Sequence, residues 1–158
     1  MFSVVLVCTG NTCRSPLAEL IVRRRLDALG ESAEVGSAGL GAVDGAPASS
    51  HAQFVAQDRG ADLSRHQSRR LTRMVIDDAD LVVTMTAKQK GLLLERHSGA
   101  LTEVVTLGEL AGEDSVDVAD PYGGSLEQYE ATYEEIERLV DLGLPELRRR
   151  VKSKQAAS

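Results

Sequence analysis

The first sixteen residues constrain the fold most, because a strand, a short loop and a helix start follow one another directly. Residues 2–7 form a nearly continuous apolar run, typical of a strand that is buried on both faces. The loop at residues 8–15 reads Cys-Thr-Gly-Asn-Thr-Cys-Arg-Ser. Pro16 suits the first position of a helix, and Ser15 suits the N-cap before it. The sequence therefore predicts a strand–loop–helix unit whose helix N-terminus points at the loop.

Such a unit gathers positive charge at the centre of the loop. Inward-turned backbone N–H groups and a helix N-terminus together bind a tetrahedral oxyanion. The same field favours the thiolate form of Cys8, which is the nucleophilic form. The planar guanidinium of Arg14 can bind two phosphate oxygens. Taken alone, Cys8 is more often a buried apolar residue and Arg14 a surface charge. Together they indicate phosphoryl transfer through a phosphocysteine.

Strand-like and helix-like segments alternate along the rest of the chain, which predicts βαβ units and a mostly parallel sheet. Strands are predicted at residues 34–37, 81–85 and 104–107, and helices at about 49–58, 71–79, 86–96 and from residue 126 onward. Gly143 and Pro145 are expected to bend or end the last helix. Ligands of parallel sheets bind beyond the carboxyl ends of the strands, so a remote carboxylate is expected to return to Cys8.

The acidic loop at residues 112–120 offers that carboxylate. Asp120 is our candidate general acid, because Pro121 stiffens the backbone after it and Tyr122 supplies a wall. Glu113, Asp114 and Asp117 compete with it on the same loop, and most of these acids are interpreted as solvated charges.

Three polar residues have competing interpretations. Asn11 tolerates a positive φ, and its amide can also pin the loop. Ser15 can cap the helix, donate a hydrogen bond to the Cys8 sulfur, or do both. His66 is interpreted as a hydrogen-bonded structural residue, since three histidines without clustered Cys, Asp or Glu make a metal site improbable.

Length and composition indicate one small enzyme domain at residues 1–151, with residues 152–158 expected to fray. The net charge of −6 argues against nucleic acid as a partner. No apolar run is long enough to span a membrane, and the N-terminal run predicts a strand and not a signal peptide. Both cysteines lie in the loop, which argues against a disulfide scaffold and favours the cytoplasm.

Several segments, in order, resemble the signature of the low-molecular-weight protein tyrosine phosphatase family: residues 7–16 with Ala18-Glu19, Ser37-Ala38-Gly39, His66 with Ser68-Arg69, Ala79-Asp80-Leu81 with Met85, and Asp120-Pro121-Tyr122. The resemblance implies a four-stranded parallel sheet flanked by helices on both sides. It also implies a phosphorylated protein as substrate, inorganic phosphate as product, and no metal or cofactor.

The same resemblance implies the roles of the site residues. Cys8 would be the nucleophile, Arg14 the phosphate ligand, and Asp120 the acid and later the base for water. The phosphate-binding loop would consist of Thr9, Gly10, Asn11, Thr12, Cys13, Arg14 and Ser15. Asn11, Ser15 and His66 would form its supporting network. Cys13 resembles the second cysteine that can trap an oxidised Cys8 as a disulfide.

Departures from the tyrosine phosphatase pattern resemble the bacterial protein arginine phosphatase branch. Thr12 replaces a bulky aliphatic residue, residues 40–46 contain no aromatic side chain, and Gly123-Gly124-Ser125 follows Tyr122. Guanidinium N–H groups need acceptors, which the Thr12 hydroxyl and the acidic loop can provide. The predicted substrate pocket comprises Thr12, Leu40 and Tyr122. Phosphoarginine is the favoured substrate, and phosphotyrosine is the alternative.

Two other classes fit less well. Arsenate reductases of this fold share a similar loop but use further cysteines, and residues 71–96 contain none. A redox-sensing, anion-binding module would not need Asp120.

Overall fold

Four apolar segments pair as one parallel sheet in the structure, a computed structural model that describes residues 1–158. The strands are β1 (Phe2–Cys8), β2 (Ala33–Gly39), β3 (Leu81–Thr84) and β4 (Glu103–Thr106). Their order across the sheet is β2-β1-β3-β4, and every neighbouring pair is parallel. The predicted fold class is confirmed, and β1, the strand that delivers Cys8, occupies an interior position.

Six helices cover the sheet: α1 (Arg14–Ala28), α2 (Ser50–Asp58), α3 (Arg73–Asp78), α4 (Ala87–Arg96), α5 (Leu107–Leu110) and α6 (Leu126–Ala156). Alternate residues of β1 point to opposite faces. Val4 and Leu6 join the larger apolar cluster with α1 and α6, whereas Val5 and Val7 join a smaller cluster with α3 and α4. None of the six helices is both long and apolar enough to cross a membrane.

Helix α1 begins earlier than its local capping signals predict. Its first residue is Arg14, and Cys13 occupies the N-cap position without a side-chain cap. The prediction that Ser15 caps the helix is wrong, because the buried Ser15 hydroxyl bonds within the loop instead. The short helix α5 was not predicted; it begins directly after β4, where Thr106 and Glu109 form a capping box.

Helix α6 continues past both predicted breaking points. Gly143 is buried, and a Cβ added there would meet Leu110 Cγ at 3.0 Å, so glycine lets α5 approach closely. Pro145 lies on the exposed side of α6, where water can bind the carbonyl that loses its donor.

The predicted fraying of residues 152–158 is also wrong for most of that segment, which is helical to Ala156. Lys154 Nζ donates to both carboxylate oxygens of Asp80, at 2.8 and 2.7 Å. Asp80 also accepts a hydrogen bond from the backbone N–H of Ser3 at 2.8 Å. This contact fixes the last helix to the first strand.

Candidate active site

The loop after β1 closes over a cavity of about 220 Å³ at the carboxyl end of the sheet. Eight residues line it: Cys8, Thr9, Gly10, Thr12, Cys13, Arg14, Asp120 and Tyr122. The fold thus brings the acidic loop to the cysteine loop across more than a hundred positions of sequence, as the topology predicted.

The Cys8 sulfur is buried and has two hydrogen-bonding neighbours. The Asn11 backbone N–H donates to Cys8 Sγ at 3.3 Å, and the Ser15 hydroxyl lies 3.0 Å from it. Ser15 Oγ already accepts from Asn11 Nδ2 at 2.8 Å, so its own hydrogen is available to the sulfur. Both groups can donate a hydrogen bond to the sulfur, and the second interpretation of Ser15 is the one that the geometry supports.

Asn11 organises the loop from its centre. It is fully buried and adopts a φ of 56°, which few residues other than glycine do. Its Nδ2 donates to Ser15 Oγ and to Ser37 Oγ at 2.9 Å, and its Oδ1 accepts from the Arg69 N–H at 2.9 Å. His66 Nε2 lies 2.8 Å from the Asn11 carbonyl oxygen, so that nitrogen carries the proton and donates. His66 therefore supports the loop from outside the cavity.

The backbone of the loop supplies the donors for an anion. The N–H groups of residues 12–15 donate no hydrogen bond within the protein. Since Cys13 provides no side-chain cap, the first turn of α1 also keeps its free N–H groups at the cavity. A tetrahedral oxyanion fits this arrangement, because donors and the helix dipole converge there.

Arg14 connects the loop to the acidic segment. Its side chain is only 7% exposed, and its Nη1 donates to the Val118 carbonyl at 3.0 Å. Its Nη2 lies 3.6 Å from Asp120 Oδ2. The Asp120 side chain is 54% exposed, and its Oδ1 accepts from the Tyr122 N–H at 3.0 Å. Asp120 thus reaches both the cavity and solvent.

The other carboxylates of the acidic loop point elsewhere. Glu113 pairs with Arg138, and Asp117 Oδ1 accepts a hydrogen bond from the Ala87 N–H at 2.9 Å. Asp114 is exposed and has no hydrogen bond or ion pair. None of the three lines the cavity. Asp117 is therefore not simply a solvated charge.

Leu40 does not belong to the cavity, and its prediction as a pocket residue is wrong. Its N–H donates to the Cys8 carbonyl at 3.0 Å, but its side chain is buried in the smaller apolar cluster with Val5 and Val7. Of the predicted pocket residues, Thr12 and Tyr122 do line the cavity, and Tyr122 is 78% exposed.

The second cysteine sits in a polar contact that the sequence did not predict. Cys13 Sγ lies 3.3 Å from Tyr129 Oη on α6 and donates to Ser49 Oγ at 3.4 Å. Burial raises the pKa of Tyr129, and the contact with Cys13 raises it further. The Tyr129 hydroxyl therefore stays protonated and can donate to the sulfur. Ser49, which we expected only at the start of α2, also donates its N–H to the Thr12 carbonyl at 2.9 Å.

Gln89 and Gly39 also support the cysteine loop, and the sequence predicted neither role. Gln89 Nε2 donates to Thr9 Oγ1 at 3.3 Å, and Gln89 Oε1 accepts from the Met85 and Thr86 N–H groups. Gly39 allows β2 to touch the loop, since a Cβ there would lie 2.7 Å from the Thr9 carbonyl oxygen. No three His, Cys, Asp or Glu side chains are grouped closely enough to hold a metal ion.

Comparison with known proteins shows that this chain is a phosphoprotein phosphatase. The family profile described as low molecular weight phosphotyrosine protein phosphatase matches residues 3–155, and the chain belongs to that family. This confirms the family that the cysteine loop and the Asp-Pro-Tyr segment predicted.

The relatives include proteins named as arginine phosphatases and proteins named as tyrosine phosphatases. The chain is 38% identical over 141 residues to a protein-arginine-phosphatase of Geobacillus stearothermophilus, covering 89% of this chain and 92% of the relative. It is 37% identical over 146 residues to a probable low molecular weight protein-tyrosine-phosphatase, EpsP of Ralstonia nicotianae, covering 92% of this chain and 96% of the relative.

Solved structures share the whole fold. A cysteine-to-serine mutant of the YwlE arginine phosphatase, with a phosphorylated active-site serine, superposes with a TM-score of 0.90 at 34% identity. The match covers 95% of this chain and 99% of that one.

Proposed function

We propose that this protein hydrolyses phosphorylated arginine side chains of proteins through a phosphocysteine intermediate on Cys8. The observation that carries the proposal is the cavity in which the Cys8 sulfur, the Arg14 guanidinium and the Asp120 carboxylate meet. Nucleophile, phosphate ligand and proton donor are the three groups that such a hydrolysis needs.

The first step transfers the phosphoryl group to sulfur. The free N–H groups of residues 12–15 and the Arg14 fork hold the phosphate oxygens. The Cys8 thiolate attacks phosphorus, the bond from phosphorus to the substrate nitrogen breaks, and Asp120 protonates that nitrogen as it leaves. The proton from Asp120 makes the leaving group an ordinary arginine guanidinium, and Asp120 is left as a carboxylate.

The second step regenerates the enzyme. The Asp120 carboxylate takes a proton from a water molecule, and the resulting hydroxide attacks phosphorus. The sulfur–phosphorus bond breaks, inorganic phosphate leaves, and the Ser15 hydroxyl stabilises the returning thiolate through its 3.0 Å contact. Asp120 ends protonated, ready for the next turnover.

Thr12 supports phosphoarginine as the preferred substrate. It lines the cavity, and its hydroxyl can accept a hydrogen bond from a guanidinium N–H. The exposed Tyr122 ring at the cavity mouth can stack on a guanidinium plane. The named arginine phosphatases among the relatives support the same choice, and the phosphorylated serine in the YwlE mutant supports a covalent route.

Phosphotyrosine is the second candidate substrate, because EpsP is a comparably similar relative and Tyr122 can also stack on a phenyl ring. The deciding experiment compares kcat/KM for a phosphoarginine peptide and a phosphotyrosine peptide of otherwise identical sequence. We expect the phosphoarginine peptide to be preferred. A preference for phosphotyrosine would leave a phosphocysteine enzyme of the other specificity.

The Cys8→Ser variant tests the mechanism separately. It should lose turnover of both peptides and still bind inorganic phosphate, since the N–H cradle and Arg14 remain. Substantial turnover by Cys8→Ser would reject the phosphocysteine route for either substrate.

The proposal extends to the setting of the enzyme. A free catalytic thiol needs a reducing compartment, and both cysteines are free, which supports the cytoplasm. The net charge of −6 supports protein substrates over nucleic acid or anionic membranes. One phosphatase domain would carry all of these functions, with its last helix extending beyond residue 151.

A further inference from the structure

We propose that Asp117 is a positioning residue that fixes the loop of the general acid to the first turn of α4. The proposal rests on the function proposed above, in which Asp120 donates the proton. Asp117 Oδ1 accepts a hydrogen bond of 2.9 Å from the N–H of Ala87. Ala87 is the first residue of α4, so this N–H is one of the donors that a helix cannot satisfy internally. The negative charge of Asp117 also complements the positive end of the helix dipole.

The neighbouring residue completes the anchor. The Val118 N–H donates to the Met85 carbonyl at 3.0 Å, at the end of β3, and the Val118 side chain is buried. The Val118 carbonyl accepts the hydrogen bond from Arg14. Hydrogen bonds thereby attach residues 117 and 118 to the residue that follows β3, to α4 and to Arg14. Asp120 follows two positions later.

Asp120 itself has weak attachments. Its side chain is half-exposed, its contact with Arg14 is 3.6 Å long, and its only hydrogen bond is local, from the Tyr122 N–H. The position of its carboxylate over the cavity therefore depends on where the anchor holds the chain. Catalytic groups displaced by about 1 Å lose much of their effect.

This role has a kinetic signature that a purely structural role lacks. Losing the anchor misplaces the proton donor but leaves Cys8, Arg14 and the N–H cradle in place. Substrates whose leaving group needs protonation should slow down, whereas substrates with an activated leaving group should not. The effect should appear in kcat/KM, because this parameter includes the step that breaks the bond to the leaving group.

The chain allows the hydrogen bond to be broken from either side. Asp117→Ala removes the acceptor. Ala87→Pro removes the donor, at an exposed first helical position where proline is favoured. Thr86, with φ −137° and ψ 158°, already has the extended conformation that proline requires before it. Asp117→Asn keeps an acceptor oxygen and should rescue, and Asp114→Ala is a matched control on the same loop.

The assay uses phenyl phosphate as the poor leaving group and p-nitrophenyl phosphate as the activated one. We expect Asp117→Ala and Ala87→Pro each to lower kcat/KM about tenfold for phenyl phosphate and less than about twofold for p-nitrophenyl phosphate. Asp117→Asn and Asp114→Ala should behave as wild type. The double variant should be no worse than either single variant, because both remove one interaction.

Equal losses on both substrates, or wild-type behaviour of both bond-breaking variants, would overturn the positioning role. If Asp117→Ala fails to fold, Ala87→Pro decides alone. The Asp120→Asn variant separates this proposal from the proposed function. If Asp120→Asn shows no leaving-group dependence, the general acid itself is misassigned, and the anchor has no acid to position.

Discussion

Asn11 shows at the scale of one residue why the loop keeps its shape. A left-handed conformation costs a non-glycine residue roughly 1–2 kcal/mol. Glycine would avoid that cost, but Ser15, Ser37 and the Arg69 N–H would then lose the partner that the Asn11 amide provides. Unsatisfied buried groups cost about 1–3 kcal/mol each. Asparagine at this position therefore combines the turn with the support of the Ser15 hydroxyl beside the Cys8 sulfur.

Asp120→Asn removes the proton donor while keeping the size of the side chain. We expect kcat/KM to fall by roughly 10²–10⁴-fold for a substrate with a poor leaving group. The loss should shrink for p-nitrophenyl phosphate, whose leaving group needs little protonation. Steady-state kinetics on both substrates checks this, with Glu113→Gln as the matched carboxylate outside the cavity. Equal loss on both substrates would argue against Asp120 as the acid.

Thr12 is expected to set the substrate preference. Thr12→Ile removes the hydroxyl and fills space in the cavity that Thr12 lines. Guanidinium donors would then lack an acceptor, and unpaired polar groups in a site discriminate strongly. The ratio of kcat/KM for the two peptides should therefore shift toward phosphotyrosine. Thr12→Ser, which keeps the hydroxyl, should hold the wild-type ratio, and an unchanged ratio in Thr12→Ile would remove Thr12 from substrate choice.

Cys13 is expected to make oxidation of the enzyme reversible. Peroxide converts the Cys8 thiolate to a sulfenic acid, and the Cys13 thiol can condense with it to a disulfide with loss of water. Mass spectrometry should detect the Cys8–Cys13 disulfide, and a thiol reductant should restore activity. Cys13→Ser should recover less activity after the same treatment. Equal recovery would show that Cys13 offers no protection.

At the scale of elements, the contact between β2 and the cysteine loop holds the cavity in shape. Cys8 pairs with Gly39, and a Cβ on Gly39 would also meet Ala42 Cβ at 2.8 Å and Asn11 Cβ at 3.0 Å. The loop thus packs directly against the end of β2, without a side chain between them.

Gly39→Ala should push the loop away from β2 and damage the cradle. We expect kcat/KM to fall about tenfold or more on good and poor leaving groups alike, because a shifted cradle affects every substrate. Overpacking should also lower the free energy of unfolding by about 1–3 kcal/mol. Gly41→Ala is the matched control, since its Cβ would meet only the Thr9 carbonyl oxygen, at 3.9 Å. Wild-type kinetics in Gly39→Ala would contradict the close contact.

Some features of these elements are predictable from the sequence, and others depend on the folded structure. The strand–loop–helix unit at residues 2–16 is a local pattern, so its order was predictable. The use of the Ser15 hydroxyl stayed open between a helix cap and a hydrogen bond to the Cys8 sulfur, because only the folded loop brings its partners Cys8 and Asn11 into reach. Tyr129 contacts Cys13 across 116 positions, and such pairs depend on packing rather than pattern. Leu40 was wrongly predicted to line the pocket, because its backbone borders the loop but its side chain does not.

At the scale of the whole molecule, Asp80 ties the two ends of the chain together. Burial opposes its ionisation, but hydrogen bonds from Lys154 and from the Ser3 N–H outweigh burial and lower the pKa of Asp80. The folded state therefore favours the charged carboxylate. A carboxylate with a lowered pKa adds stability above its ordinary pKa, and this stability is lost as pH falls through the lowered value.

Asp80→Asn should accordingly destabilise the protein at neutral pH and not in acid. The pair is partly exposed to solvent, so we expect a loss of about 1 kcal/mol at pH 7. The difference from wild type should begin to shrink as pH falls below about 4, where aspartate in the unfolded chain takes up a proton. It should vanish only below the lowered pKa of folded Asp80, where the wild-type side chain is as neutral as asparagine. Urea unfolding at several pH values measures this, with the exposed and unpaired Asp78→Asn as the control. Lys154→Gln should reproduce the loss at pH 7, since it breaks the same contact from α6. A difference that persists unchanged to about pH 2 would mean that Asp80 acts through its shape and not through its charge.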